Sequence, residues 1–230
     1  MSWSSNQPIV YDRSLSSAGL LGKTLFMLVI LFAVATVGFW VSPLVPPSLL
    51  GTLAIGQLVL IFGMSFFLRR NLFWAETVAV IFAFLNGLTL APLIAGALAT
   101  NPAAVGGALL ATTISFAVAG LVVSVTRLNF GRLIPFLFVG LLGILVAGLL
   151  AVFIPSLLGL PFNPVYNLLG VVIFLGFTLV DFWRIKNQVY GWGDENLASV
   201  FISVSLYLDF INLFLFFLRF FGVNTGSRRR

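Results

Sequence analysis

The chain has 230 residues, 60% of them hydrophobic and 8% charged, with a mean hydropathy of +1.15. That composition excludes a soluble domain and points to an all-α integral membrane protein with no room for a sizeable extramembrane domain. Cysteine and histidine are absent, and the net charge of +6 is spread singly or in pairs over segment ends. Disulfides, thiolate and imidazole metal sites and a His pH switch are thereby excluded, and the basic residues read as positive-inside retention with no nucleic-acid partner.

Residues 1–19 form a polar, Ser-rich tail. Lys23 then precedes an apolar run too long for a signal-peptide core, with no small-residue cleavage site close behind, so the run reads as a retained span. Seven apolar segments follow in order. The first covers about Leu20–Val41 and stops at Ser42-Pro43 and Pro46-Pro47. The second, Leu49–Leu68, stops at Arg69-Arg70-Asn71. The third, Phe73–Leu98, stops at Asn101-Pro102, and the fourth, Ala104–Val125, at Arg127. The fifth, Leu133–Ile154, stops at Pro155, and the sixth, Val165–Trp183, at Arg184 and Lys186. The seventh is Leu197–Phe221, and residues 223–230 form a basic tail. Each approaches the roughly 20 residues that span a hydrocarbon core.

Charge orients the bundle. The connections after segments two, four and six carry Arg69 and Arg70, Arg127 and Arg132, and Arg184 and Lys186, whereas those after one, three and five carry none. This alternation places the N-terminus and the even-numbered exits in the cytoplasm of a cell inner membrane. Seven spans send Arg228-Arg229-Arg230 to the opposite side; a re-entrant last segment keeps them inside. The last run has no internal Gly or Pro to turn a hairpin, which favours seven spans. Small residues within the spans, among them Gly51, Gly56, Gly87, Ala91, Ala95, Gly106, Gly107, Gly140, Gly143 and Gly148, read as helix-packing positions.

Segment seven is the one the others are expected to surround. At about 100° per residue, Ser205, Asp209, Asn212 and Arg219 fall on one polar stripe of an otherwise Phe-, Leu- and Ile-rich helix. Ionisable groups at membrane depth face protein or water, so this helix reads as a central post with six others packed around it. The chain has six acids. Asp12 lies in the tail. Asp194 and Glu195 read as loop solvation and as an N-cap for the last helix. Glu76 reads as an interfacial partner of Arg69 or Arg70. Asp181, near the end of segment six, and Asp209, roughly 18 Å into segment seven, remain as functional candidates. Two neighbouring carboxylates do not both ionise cheaply and share a proton, which makes a pH sensor without His. Deprotonated, they attract a hard cation such as Ca²⁺.

Three stretches then resemble a known family. Ser205-Leu206-Tyr207-Leu208-Asp209-Phe210-Ile211-Asn212-Leu213-Phe214, with Leu218-Arg219-Phe220-Phe221-Gly222, resembles the closing signature of the Bax inhibitor-1 family. Phe82-Ala83-Phe84-Leu85-Asn86-Gly87-Leu88-Thr89-Leu90-Ala91-Pro92 and Asp181-Phe182-Trp183-Arg184-Ile185 resemble its third-span and sixth-span motifs. The resemblance covers residues 24–222. It implies six helices around a central seventh and a pH-sensitive Ca²⁺ leak channel. It also implies a di-aspartyl pair, Asp181 and Asp209, that gates the pore and meets Ca²⁺ transiently. It implies an arginine latch from helix two onto Asp209, supplied by Arg69 with Arg70 as second choice, and a monomer as the functional unit. Arg219 matches the family's basic residue in the last span. One departure is that helix two carries no acid, only Gln57.

Other classes fit less well. Gly191-Trp192-Gly193-Asp194 spells the Gly-x-Gly-Asp of intramembrane aspartyl proteases, but that Asp sits in a polar loop and no Pro-Ala-Leu triplet is present, so no enzymatic activity is expected. A proton-coupled Ca²⁺/H⁺ exchanger needs the same acids with an arginine. A membrane interaction protein without flux of its own needs none of them.

Overall fold

In a computed structural model, residues 17–67, 71–154, 159, 163–187 and 194–226 are described. They form seven helices: α1 (Ser17–Val41), α2 (Pro47–Phe67), α3 (Leu72–Thr100), α4 (Pro102–Val125), α5 (Ile134–Phe153), α6 (Pro164–Asn187) and α7 (Glu195–Gly226). Short 3₁₀ turns at Ser42–Leu44 and Phe130–Leu133 follow α1 and precede α5. Among the described residues six helices, α1 and α3 to α7, are long and apolar enough to cross a membrane. α2, with 21 residues, is followed by Arg69 and Arg70, which lie outside the described residues.

The helix starts are set by short polar side chains. Asn71 Oδ1 accepts from the Phe73 N–H (3.1 Å), Asn101 Oδ1 from Ala104 (3.1 Å) and Asn163 Oδ1 from Val165 (2.8 Å). Asp194 Oδ1 accepts from the Asn196 N–H at 2.8 Å, so it caps α7 as expected. These bonds satisfy first-turn donors that have no partner within the helix. At the opposite terminus of α4, the Lys186 ammonium reaches across from α6. It donates to the carbonyls of Val123 (2.7 Å), Ser124 (3.0 Å) and Thr126 (2.7 Å), where the dipole favours a cation.

Four large side chains of α7, Ile202, Leu206, Tyr207 and Leu213, are almost completely buried. Four helices touch it: α1, α3, α4 and α6. The other two form a second layer, α5 against α6 and α2 against α3. Four of the six helices expected to surround α7 thus touch it among the described residues, and α5 and α2 pack instead on α6 and α3. The four also pack pairwise on one another, α1 on α3, α3 on α4, α4 on α6 and α6 on α1.

α1 and α3 approach closely because two glycines face each other's backbone. A Cβ on Gly38 would collide with the Phe84 carbonyl, and one on Gly87 with the backbone of Ala35. The packing reading also holds at Gly140 and Gly148, where a Cβ would press on Ile173 and the Tyr166 hydroxyl, but not at Gly51, Gly56, Gly106 or Gly143, where it meets nothing within 4 Å among the described residues. Gly87→Ala is therefore expected to cost roughly 1–3 kcal/mol by overpacking, whereas Gly96→Ala, on the open side of α3, is neutral or slightly stabilising. Thermal unfolding of the two variants in detergent, compared with the unsubstituted chain, checks the contrast.

Candidate functional site

α6 turns one face toward α7: Gly170, Phe174, Thr178, Asp181 and Ile185 are all buried and recur at the spacing of a single helical stripe. The two helices run antiparallel, and the contacts fix their register. The Phe216 ring fills the space that a Gly170 side chain would take. Thr178 Oγ1 donates to the Phe174 carbonyl at 2.8 Å and makes a longer contact, 3.4 Å, with Asp209 Oδ2. Ser205 faces Asp181, and Ile202 packs with Ile185. Each acid thus stands opposite a hydroxyl on the other helix, Asp181 with Ser205 and Asp209 with Thr178. The carboxyls are offset by one turn, roughly 5 Å along the axis, close enough to repel when both are charged.

Both acids are sealed from the surroundings, Asp181 at 1% and Asp209 at 4% exposure. A buried charge is costly unless paired and hydrogen-bonded. Asp181 has such a partner three residues on: Arg184 Nη1 donates to its Oδ1 at 2.9 Å, from a side chain 28% exposed. The other oxygen, Oδ2, is buried and has no hydrogen-bond partner among the described residues. Asp209 has the long Thr178 contact and lies within electrostatic reach of Arg184. The site is an interleaved pair of carboxyls with one arginine and one oxygen unpaired among the described residues, a constellation suited to holding a proton or a hard cation.

The other stripe residues divide. Ser205 joins the site. Asn212 bonds the Leu208 carbonyl of its own helix at 2.8 Å. Arg219 lies ten residues beyond Asp209, roughly 15 Å along α7. Its guanidinium rests over the Phe216 ring at 5.8 Å, with Tyr166 nearby. The proposed latch residues Arg69 and Arg70 lie outside the described residues. Arg184, read in the sequence only as a basic exit, is the arginine the structure sets against an acid. Its spacing of three residues from Asp181 is the signal that could have found it.

The chain matches over residues 18–226 the family described as Inhibitor of apoptosis-promoting Bax1. It belongs to the Bax inhibitor-1 family. An uncharacterized membrane protein of Streptococcus pyogenes serotype M3 is 34% identical over 174 residues, covering 74% of this chain and 73% of that one. An uncharacterized protein of Deinococcus radiodurans is 36% identical over 187 residues, covering 77% and 74%. One of Caulobacter vibrioides is 40% identical over 95 residues, a stretch that is 39% of this chain and 36% of that one.

In this Bax inhibitor-1 family protein a second polar line crosses the bundle beside the acids. The Tyr207 hydroxyl, on the α7 turn between Ser205 and Asp209, donates to Asn86 Oδ1 of α3 at 2.9 Å. One turn further along α3, the Thr89 hydroxyl contacts Gln57 Oε1 of α2 at 3.1 Å. Sequence reading quoted Asn86 and Tyr207 within motifs without giving them a role. At the start of α7, Glu195 pairs with Lys23 of α1 at 3.4 Å, and Lys23 also donates to Asn196 Oδ1 at 2.8 Å. Glu76 is exposed on the first turns of α3.

The Asp181–Arg184 pair yields a coupled expectation. Arg184→Gln alone leaves a buried carboxylate without its cation and is expected to destabilise by roughly 1–3 kcal/mol, the lower half reflecting partial solvation of the arginine. Arg184→Gln combined with Asp181→Asn is expected to lose less than the sum of the two single changes. A double-mutant cycle on thermal stability in detergent measures that coupling.

Proposed function

We propose that this Bax inhibitor-1 family protein is a pH-sensitive calcium leak channel gated by Asp181 and Asp209. The observation that supports it best is the burial of two acids one turn apart on α6 and α7. Both are nearly inaccessible, and Asp181 Oδ2 has no hydrogen-bond partner among the described residues. Protonation changes the mutual repulsion of the carboxyls and the hold of Arg184 on Asp181, so the α6–α7 contact responds to pH. Calcium is the cargo, met transiently by Asp181 Oδ2 and the Asp209 carboxylate when the contact loosens.

In this reading the protein catalyses no reaction and works as a monomer. It lies in a bacterial inner membrane with its N-terminus cytoplasmic and seven spans, α2 included. Arg69 or Arg70 adds a latch from α2 onto Asp209. Arg184, paired with Asp181, supplies a positive charge from α6, so the gate does not depend on α2 alone. The lack of a carboxylate in the described part of α2 leaves Gln57 as its buried polar group, which weakens cation entry from the uncharged end.

Calcium entry into proteoliposomes tests the proposal, followed from mildly acidic to mildly alkaline pH. The unsubstituted protein is expected to change its leak several-fold over that range, and Asp181→Asn and Asp209→Asn are each expected to flatten the profile. Wild-type pH dependence in both variants contradicts the gate. Stoichiometric proton counterflow assigns Ca²⁺/H⁺ exchange instead, and absence of flux from folded protein assigns an interaction role.

A further inference from the structure

The charged end of the bundle carries a cleft of about 380 Å³ between α1, α4 and α6. α1 and α4 each pack against α6, and the cleft opens between them. Its walls are Leu21, Gly120, Val123, Phe182 and Ile185, with Ser124 and Lys186 at the rim. Gly120 keeps it open: a Cβ there would lie 3.7 Å from the Phe182 ring, and anything longer would enter the cavity.

The rim is positive. All three donors of Lys186 are taken by the α4 carbonyls, so it contributes charge and no free hydrogen bonds. Arg127 follows directly on Thr126, the last of those carbonyls, and Arg132 lies on the following turn. Both are exposed, and neither forms an ion pair with a carboxylate among the described residues. An apolar cavity at the end of membrane helices, with Lys186 in its lining and two exposed arginines on the connection that follows α4, matches an amphiphile with an anionic head and a hydrocarbon chain. Its volume falls within the roughly 300–1,000 Å³ of ligand sites.

We propose that this cleft is a binding site for one anionic phospholipid. An acyl chain lies against Leu21, Phe182 and Ile185, and the phosphodiester meets Arg127 in the positive field of Lys186. Ile185 shares the α6 stripe that carries Asp181, and Phe182 adjoins Asp181 in the chain, so the lipid lies within about one turn of the acid on α6.

Photolabelling of the full chain in nanodiscs tests this without any measurement of calcium flux, so its failure is separate from failure of the channel reading. The probes are phosphatidylglycerol and phosphatidylcholine with the same diazirine-bearing acyl chain, and cross-links are mapped by mass spectrometry. Phosphatidylglycerol is expected to label α1 and α6 at the cleft several-fold more than phosphatidylcholine, with no competition from inorganic phosphate. Gly120→Leu is expected to abolish most of that labelling. Arg127→Gln with Arg132→Gln, at exposed positions that leave folding intact, is expected to lower the affinity for phosphatidylglycerol roughly tenfold. Equal labelling by both lipids overturns the proposal, as ordinary boundary lipid. So does labelling that survives both sets of substitutions, or competition by phosphate alone. Absence of labelling by either lipid overturns it equally.

Discussion

A carboxyl group buried between membrane helices dictates what must stand opposite it. Asp181 and Asp209 are the two acids in this chain that are nearly inaccessible within the α6–α7 contact, and the register meets that demand on each side. Thr178 lies opposite Asp209, Ser205 opposite Asp181, and Arg184 reaches back from the exposed end of α6. Sliding one helix by a turn would set Asp181 against Ile202 and Asp209 against Phe174 in one direction, and the two acids against each other in the other, at a cost of several kcal/mol per unpaired ion. Apolar contacts on both sides hold the register, with Phe216 against Gly170 and Ile185 against Ile202. The acids do not build the interface; the apolar contacts around them hold it.

The contacts of α1, α3, α4 and α6 with α7 and with one another support that interface. The backbone contacts at Gly38 and Gly87 bring α1 onto α3, and the Tyr207–Asn86 hydrogen bond ties α3 to the turn of α7 that carries Asp209. Lys186 joins the ends of α6 and α4, while Lys23 joins α1 to the first turn of α7. Each polar link sits where a backbone or side-chain group would otherwise be unsatisfied, consistent with a bundle in a medium that supplies no hydrogen bonds.

Hydropathy located the helices because each apolar run is long and is ended by Pro, Asn or Arg, and the Asn and Asp caps lay at the expected breaks. The two acids were legible because charge within apolar runs is rare in this chain. Which helices touch α7 was not legible, because composition does not distinguish a first layer from a second. Angular periodicity placed Ser205, Asp209, Asn212 and Arg219 on one stripe, but it ignores axial distance, which sets Arg219 well away from the acids. Thr178 gave no signal, since a threonine bonding its own helix carbonyl is ordinary. Arg184 was hidden because a basic residue at a span's end already had an explanation in topology. Membership in the Bax inhibitor-1 family adds the chain's relatives, and the function still has to come from the site itself.

The central claim is that position 209 of α7 faces position 178 of α6 within the membrane. The absence of cysteine from the chain provides a clean background for testing it. The most direct measurement is cross-linking of Thr178→Cys with Asp209→Cys by a short bis-thiol reagent in native membranes, compared with Thr178→Cys paired with Arg219→Cys. The account predicts a high yield for the first pair and little for the second. Equal yields, or none from the first pair while both thiols remain reactive, would contradict it.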